Sequence, residues 1–333
     1  MAVSDPNQFM EKGGYAGVGT LARESAVILF RSGAKESFLS VFFTELTMKL
    51  FLKSLLLGFR RRWWTGITRA FAMAGAIWLV TEITMKSFTS VDQFITAHGT
   101  EYAVGVVTAC VVTFFYHIYE TRSVSFRVPT TDSWINIYYD DLLGTDTDWL
   151  IGVGEFFDSD LGHVVSSQSL HGKLIEKVWN SDTGRFRKDV DDALKGNPSE
   201  VTERSIKPNK KYAIGTTAVL PRAARKIFLV AMAKTDLQSS KASSTVPMLW
   251  DALLGALHSI HNFGNGGTIS LPLIGNGRSS VNIEPQHLLR LIVLSLIDFG
   301  RKTGLPKQVN IVLPEDCFER LDIREIKRDW SHK

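Results

Sequence analysis

The sequence predicts an α/β protein in two parts, an N-terminal helical transmembrane hairpin followed by an α/β sandwich built on a mixed sheet. Three observations lead there. Two long apolar runs, Trp63 to Thr84 and Tyr102 to Tyr119, lie before residue 120. After Arg122 the texture changes to short β-like runs alternating with amphipathic helices, the order that lays helices on a sheet. Late in the chain an apolar strand ends in a glycine-rich turn, Gly275-Asn276-Gly277-Arg278-Ser279-Ser280, which opens toward a long helix.

Composition narrows the function classes. At 333 residues the chain has room for one sizeable domain and a smaller module. A net charge of +4, without a Lys/Arg stripe interleaved with aromatics, argues against a nucleic-acid partner. The two cysteines, Cys110 and Cys317, have no second Cys or His at metal-ligand spacing, so no metal site is expected. Cys110 falls inside an apolar run and reads as a small buried hydrophobe. The opening text, MAVSDPNQFMEKGGYAG, has no basic stretch leading into an apolar one, so membrane insertion is expected to use internal segments. Residues 1–20 are polar and glycine-rich, and poor order is expected there.

Glu36 to Phe59 reads as a helix with Lys49 and Lys53 one turn apart and Phe38, Phe42, Leu46, Leu50 and Leu57 around the remainder. Such a helix lies in a membrane interface or packs against the rest of the protein, and both readings stay open. Arg60-Arg61-Arg62-Trp63-Trp64 then leads into the first span. Trp63 to Thr84 would extend about 32 Å at roughly 1.5 Å per residue, enough for the hydrocarbon core. Arg69 and Glu82 sit toward its ends, where long side chains snorkel. The second run, Tyr102 to Tyr119, has no Asp, Glu, Lys or Arg and ends in aromatics suited to an interface belt. Flanking tryptophans and three arginines favour two spans over a hairpin buried in a soluble core. Lys49, Lys53 and Arg60 to Arg62 precede the pair, Arg122 and Arg127 follow it, and the loop from Met85 to Glu101 holds only Lys86 among Lys and Arg. Positive residues stay inside, so both termini are expected on the cytoplasmic side.

Beyond Arg122 the strand candidates are Ser123–Val128, Ser133–Tyr139, Asp148–Val153, Lys211–Thr216, Ile227–Lys234, Thr268–Leu273 and Gln308–Leu313. Helix candidates are Leu170–Trp179, Pro247–Ile260 and Pro285–Lys302. In the last, Leu288, Leu289, Ile292, Val293, Leu296 and Ile297 recur at helical spacing, and Pro285 suits a first turn. Asp182 to Lys210 is charged and reads as a surface excursion. The expected divisions are 1–60, a region with a possible interfacial helix; 61–122, the two-span hairpin; and 123–333, the α/β domain.

Three turns carry chemistry. Glycines in Gly275-Asn276-Gly277 let the backbone approach a ligand, successive amides there form a concavity for anions, and Arg278 supplies charge for phosphate. Asn-Gly also favours a hairpin, but the following run is helical and no return strand follows. A second turn, Ser166 to Lys173, places small residues and Gly172 before a helix, as either a phosphate-facing turn or a plain Ser N-cap. A third, Tyr138-Tyr139-Asp140-Asp141-Leu142-Leu143, puts carboxylates just past a strand, to accept from an exocyclic amine or to cap a turn.

The order of these parts resembles the macro domain, an ADP-ribose-binding three-layer α/β/α fold. That resemblance implies that Asp141, ahead of Asp140, holds adenine. It implies a first phosphate loop at Ser169, Leu170, His171 and Gly172. It implies a second at Leu271 to Gly277, with Ile274, Gly275, Asn276, Gly277 and Arg278 at the ligand. Hydrolytic members carry an asparagine-rich stretch where this chain has IGVGEFFD, residues 151–158. The departure favours binding without turnover, and no catalytic residue is assigned, although Glu155, Asp158 and Asp160 remain able to position a water. Phe156 and Phe157 are expected in the core.

The wording VGEFFD, SSQSLHG and SLPLIGNGRSS, joined to a two-span N-terminus, is similar to the transmembrane-macro effectors of bacterial Thoeris anti-phage systems. The resemblance implies a functional partner, a TIR-domain enzyme making an ADP-ribose-derived signal from NAD, a histidine conjugate in type II systems. It further implies a multi-pass protein of the bacterial inner membrane that forms homo-oligomers, acts on the lipid bilayer and needs no cofactor. A membrane-tethered ADP-ribosyl hydrolase and a channel or structural subunit binding only protein are the alternatives.

Overall fold

Both apolar runs are helical. The computed structural model describes residues 36–204, 208–223, 225–237, 241–277 and 281–331, with side chains from residue 48 onward. The glycine-rich opening, residues 1–20, lies outside the described residues. Contacts divide the chain into a helical unit ending at Arg122 and a second unit, Ser123–Lys333.

In the helical unit α1 runs Glu36–Ser87, α2 Thr89–Ala97 and α3 Gly99–Ile118. The helix read at Glu36–Phe59 and the first span are therefore one element, broken at Arg62, where φ is −136° and ψ 19°. The connection expected as a loop, Met85 to Glu101, contains α2, whose Asp92 lies in the first turn where the helix dipole favours an acid. Helices α1 and α3 pack through glycine. A Cβ on Gly58 would lie 1.6 Å from the Ile118 carbonyl oxygen, and one on Gly66 would lie 2.7 Å from Ile118 Cγ2. Farther along, the Thr81 and Tyr102 hydroxyls meet at 2.8 Å. Phe71, Trp78, Val104, Val107 and Tyr116 remain exposed. Met48–Ser87 and Gly99–Ile118 are long and apolar enough to cross a membrane, and only 6% of the apolar window in each is buried.

The second unit is an α/β/α sandwich. Its strands are β1 Ser123–Arg127, β2 Trp134–Tyr139, β3 Asp148–Gly154, β4 Ser199–Val201, β5 Lys210–Tyr212, β6 Thr217–Arg222, β7 Arg225–Thr235, β8 Ala242–Ser243, β9 Thr268–Pro272 and β10 Gln308–Leu313. The main sheet has the order β1-β2-β10-β9-β3-β7-β6, with β8 also on β7; β4 and β5 form a separate pair. Strands β2, β10, β9, β3 and β7 are mutually parallel, and β1, β6 and β8 are antiparallel to their neighbours. The helices are α4 Leu170–Trp179, α5 Thr183–Ala193, α6 Val246–Phe263, α7 Pro285–Lys302 and α8 Ile323–Ser331.

Alternation in the parallel strands feeds two cores. Leu150 of β3 and Phe228 and Val230 of β7 join α6, α7 and α8 on one face. Trp149, Ile151, Leu229 and Ala231 join α4 and α5 on the other. Phe156 and Phe157 are buried, as expected.

Three elements differ from the sequence reading. Only the start of the expected strand Lys211–Thr216 is a strand: β5 ends at Tyr212, Gly215 turns the chain with φ +92°, and β6, which was not expected, begins beyond it at Thr217. The charged excursion contains α5, capped by Asp182 accepting from the Arg185 amide, with Phe186 and Val190 buried one turn apart. Helix α8 follows the last expected strand and buries Ile323 and Ile326.

Helix α6 touches the turn before β6 through Gly255, where a Cβ would stand 2.3 Å from the Gly215 carbonyl oxygen. Gly255→Ala gains about 1 kcal/mol of helix propensity but overpacks against backbone, at a cost of about 1–3 kcal/mol. We expect a lower thermal unfolding midpoint for it. Gly184→Ala, whose Cβ meets only Asp182 Oδ1 at 3.5 Å, should leave the midpoint unchanged or higher.

Candidate functional site

Parallel strands joined by crossovers bring their carboxyl ends to one edge of the sheet, where α/β proteins place ligands. Here that edge carries the turns after β2, β10, β9 and β3, which are consecutive in the sheet. Two of the three chemically informative turns of the sequence, those after β2 and β9, lie there, and the third opens the first helix after β3.

The turn after β2 holds Asp140 and Asp141. Asp141 caps a short 3-10 turn, Leu142–Gly144, accepting from the Leu143 amide at 3.1 Å, and its carboxylate stays exposed, 3.9 Å from Lys177 Nζ of α4. Asp140 accepts from the Asp141 amide at 2.8 Å, and burial raises its carboxyl above the ordinary range. Asp141 is thus the more accessible carboxylate of the two.

The turn before α4 is organised by Ser169. Its hydroxyl donates to the Ser166 carbonyl at 2.6 Å and accepts from the Gly172 amide at 3.0 Å, so the serine is an N-cap. Gly172 is required by packing, since a Cβ would lie 2.2 Å from the Ser166 carbonyl oxygen. Leu170 packs against the α4–α5 core. The His171 ring lies 5.5 Å from Phe186, and its Nε2 is enclosed with no hydrogen-bond partner among the described residues. Burial lowers its pKa to about 4. What this turn offers a ligand is backbone: the first-turn amides of Leu170 and His171 have no acceptor among the described residues. They form an anion-ready helix N-terminus.

The turn after β9 is pinned by its apolar members. Ile274 is buried, and its amide donates to the Pro272 carbonyl at 2.8 Å. Gly275 has φ +92°, and a Cβ there would press on Val281 Cγ2 at 3.0 Å. Asn276 donates from its backbone to the Leu273 carbonyl at 3.2 Å and from Nδ2 to Cys317 Sγ at 3.5 Å. Gly277 is exposed with nothing within 4 Å of a built Cβ. Arg278, expected at the phosphate, lies outside the described residues. Gly152 of β3 leaves room for Met232 of β7, which a Cβ would overlap, while Ile274 Cγ2 of this turn stands at an ordinary 3.5 Å from its Cβ position.

Between β3 and α4 the acidic residues are engaged. Glu155 is buried, accepting from the Thr235 amide at 3.1 Å, with Lys211 Nζ at 3.8 Å. Asp158 pairs with Arg204 at 2.6 Å, both side chains being almost wholly buried. Burial lifts the Asp158 carboxyl above its ordinary range, and Arg204 offsets part of that rise. Arg204 also lies over the Phe156 ring at 4.4 Å. Asp160 is exposed, 3.8 Å from His163. Among the described residues no group of His, Cys, Asp and Glu could hold a metal.

The edge also carries residues that sequence reasoning passed over. Tyr139 ends β2 and meets Phe318 edge to face at 5.1 Å, while Cys317 holds Asn276. Their only sequence signal was position, Tyr139 at the end of β2 and Cys317 and Phe318 just after β10.

A family model described as the macro domain of Thoeris protein ThsA matches residues 135–314. The chain belongs to this family. The match begins in β2 and ends just past β10, so the ThsA macro region contains the turns after β2, β3 and β9 and leaves out β1, the turn after β10 beyond residue 314, α8 and the helical unit. Among solved structures, a macrodomain of Oceanobacillus iheyensis with ADP is similar at 14% identity, covering 62% of this chain and 95% of that one, with a TM-score of 0.43. The same macrodomain with MES bound gives 14%, 62%, 96% and 0.43. A Trypanosoma brucei macrodomain gives 12%, 56%, 64% and 0.36. No curated protein matches the chain.

Histidine burial sets a pH expectation for this ThsA macro unit. Because the folded pKa of His171 is depressed, the unfolded chain takes up the proton first, and stability falls as pH drops from 6.5 toward about 4. Unfolding midpoints recorded across that window should decline, and His171→Leu should flatten the decline if the ring is seated as described.

Proposed function

We propose that this protein is a membrane-anchored defence effector whose ThsA macro unit senses an ADP-ribose-derived signal, histidine-ADP-ribose. The reading rests chiefly on the unfilled amides of Leu170 and His171 at the start of the first helix after β3, together with the glycine turn after β9, in a chain of the ThsA macro family. A diphosphate between these two turns meets backbone donors and a helix dipole. The exposed Asp141 carboxylate accepts from the adenine amine, and Arg278 adds charge at the phosphates.

The protein acts as a receptor and not as a hydrolase. Glu155 and Asp158, the buried carboxylates beside the first turn, are held by Thr235, Lys211 and Arg204. Neither is left to activate a water. A partner TIR-domain enzyme supplies the signal. Residues 61–122 place two spans in the bacterial inner membrane, with residues 123–333 and both termini in the cytoplasm. Binding favours an oligomeric state that damages the bilayer, and the signal shifts that equilibrium only by its differential affinity for the two states.

Calorimetric titration of the purified protein with ADP-ribose and with its histidine conjugate tests the reading. Gly277→Glu should keep the fold, because the Cβ position is open, and should lose binding as the carboxylate occupies phosphate space. Asp141→Ala removes one charged acceptor worth about 1.5–3 kcal/mol, a loss of roughly 10- to 150-fold in affinity. Binding that survives Gly277→Glu unchanged would remove the two-turn site, and steady release of ADP-ribose from a modified protein would replace the receptor with an enzyme.

A further inference from the structure

Two arginines of the helical unit stand without a partner. Arg60 and Arg69 are exposed, and neither makes a hydrogen bond or ion pair among the described residues. Their neighbours behave differently: Arg61 and Arg62 reach the buried Glu120 carboxylate at 4.0 and 3.6 Å. Trp63 and Trp64, next in sequence, are both exposed and meet edge to face at 5.5 Å.

Arg69 follows Arg62 by seven residues, about 10 Å farther along the helix at ~1.5 Å per residue. It stands among exposed apolar side chains, Phe71 and Met73 close by. A guanidinium against hydrocarbon is costly unless its stem carries the charge to a compensating group at the interface. The charge around it is one-sided. From Lys49 to Arg69 there are six basic residues and no acid, whereas Glu82 to Glu101 holds three acids and one base. At that other end the exposed Glu82 is already paired, with Lys86 at 2.6 Å.

We propose that Arg60, Trp63, Trp64 and Arg69 form a collar around the helix that binds the phosphates of anionic phospholipid headgroups. The proposal rests on the membrane reading above. Guanidinium forks match phosphate oxygens in a bidentate manner, and indole rings settle at the headgroup level. A zwitterionic headgroup brings its own ammonium into the same six-base field, which opposes it; an anionic headgroup does not. Free phosphate satisfies the guanidinium groups but leaves the apolar surface around Arg69 uncovered.

The test uses the full chain in phosphatidylcholine vesicles containing either brominated phosphatidylglycerol or brominated phosphatidylcholine. Fluorescence from the collar is isolated as the difference between the parent and the Trp63→Phe/Trp64→Phe protein. Brominated phosphatidylglycerol should quench preferentially, and its relative affinity should fall about fivefold for each of Arg60→Gln and Arg69→Gln. Arg60→Lys/Arg69→Lys keeps both charges without the fork and should lose less of the preference than the paired Gln substitutions, separating charge from loss of fold. Equal quenching by the two lipids overturns the collar and leaves the spans standing. No quenching by either overturns the spans, and the collar with them. Loss of the preference on adding inorganic phosphate at constant ionic strength makes the site one for a free anion and overturns the headgroup assignment.

Discussion

The last strand of the sheet, β10, enters between β2 and β9 and pairs in parallel with both. Asn310 sits in register with Asn136 and Ser270, and the three side chains join across the strands. Asn136 Nδ2 donates to Asn310 Oδ1 at 2.9 Å, Asn310 Nδ2 donates to Ser270 Oγ at 3.2 Å, and Thr147 Oγ1 donates to the same oxygen at 2.8 Å. A half-paired polar group in this position would be costly, whereas a closed network fixes one register. Asn136 and Asn310 are 174 residues apart, so the pairing holds together parts of the chain that local structure cannot. The site depends on it, because inserting β10 sets the turn after β2 and the turn after β9 on either side of Cys317 and Phe318.

Within that edge, structure and charge are separated. Apolar anchors and glycines hold the turns: Ile274 and Leu170 pack inward, Gly172 allows close approach, and Gly275 takes a left-handed conformation. The buried carboxylates are spent on structure, Asp158 by tying Arg204 to the segment that leads into α4. What faces outward is mostly backbone. Recognition by amides of a helix N-terminus and a glycine turn suits a ligand with a diphosphate, and it needs little rearrangement of long side chains.

The helical unit follows a different solvent logic. Its two long helices meet through glycine, with Gly58 and Gly66 against Ile118 and Phe114, and their other faces remain apolar and exposed. At the break in α1, the buried Glu120 gathers Arg61 and Arg62, and its amide donates to the Ser54 carbonyl at 3.4 Å. Glu120 stands three residues before β1.

What the sequence by itself determined was everything carried by local pattern. Period-3.6 apolar spacing placed α7 at Pro285–Lys302, runs of β-branched residues placed β10 at Gln308–Leu313, and glycine and serine marked the turns at Ser169–Gly172 and Gly275–Gly277. The macro family itself was legible in Leu271 to Gly277. Tertiary structure decided what local pattern leaves undetermined. Lys211–Thr216 looked like one strand, yet only Lys211 and Tyr212 pair, with β4, before Gly215 turns to positive φ and the strand on β7 begins at Thr217. The charged text of α5 hid two core residues, because Phe186 and Val190 gain their meaning from Trp179 and the sheet beneath them. His171 read as part of a phosphate turn, yet its ring is packed near Phe186. A side chain's direction depends on which neighbour fills the space beside it. That neighbour is chosen by the fold of the whole chain.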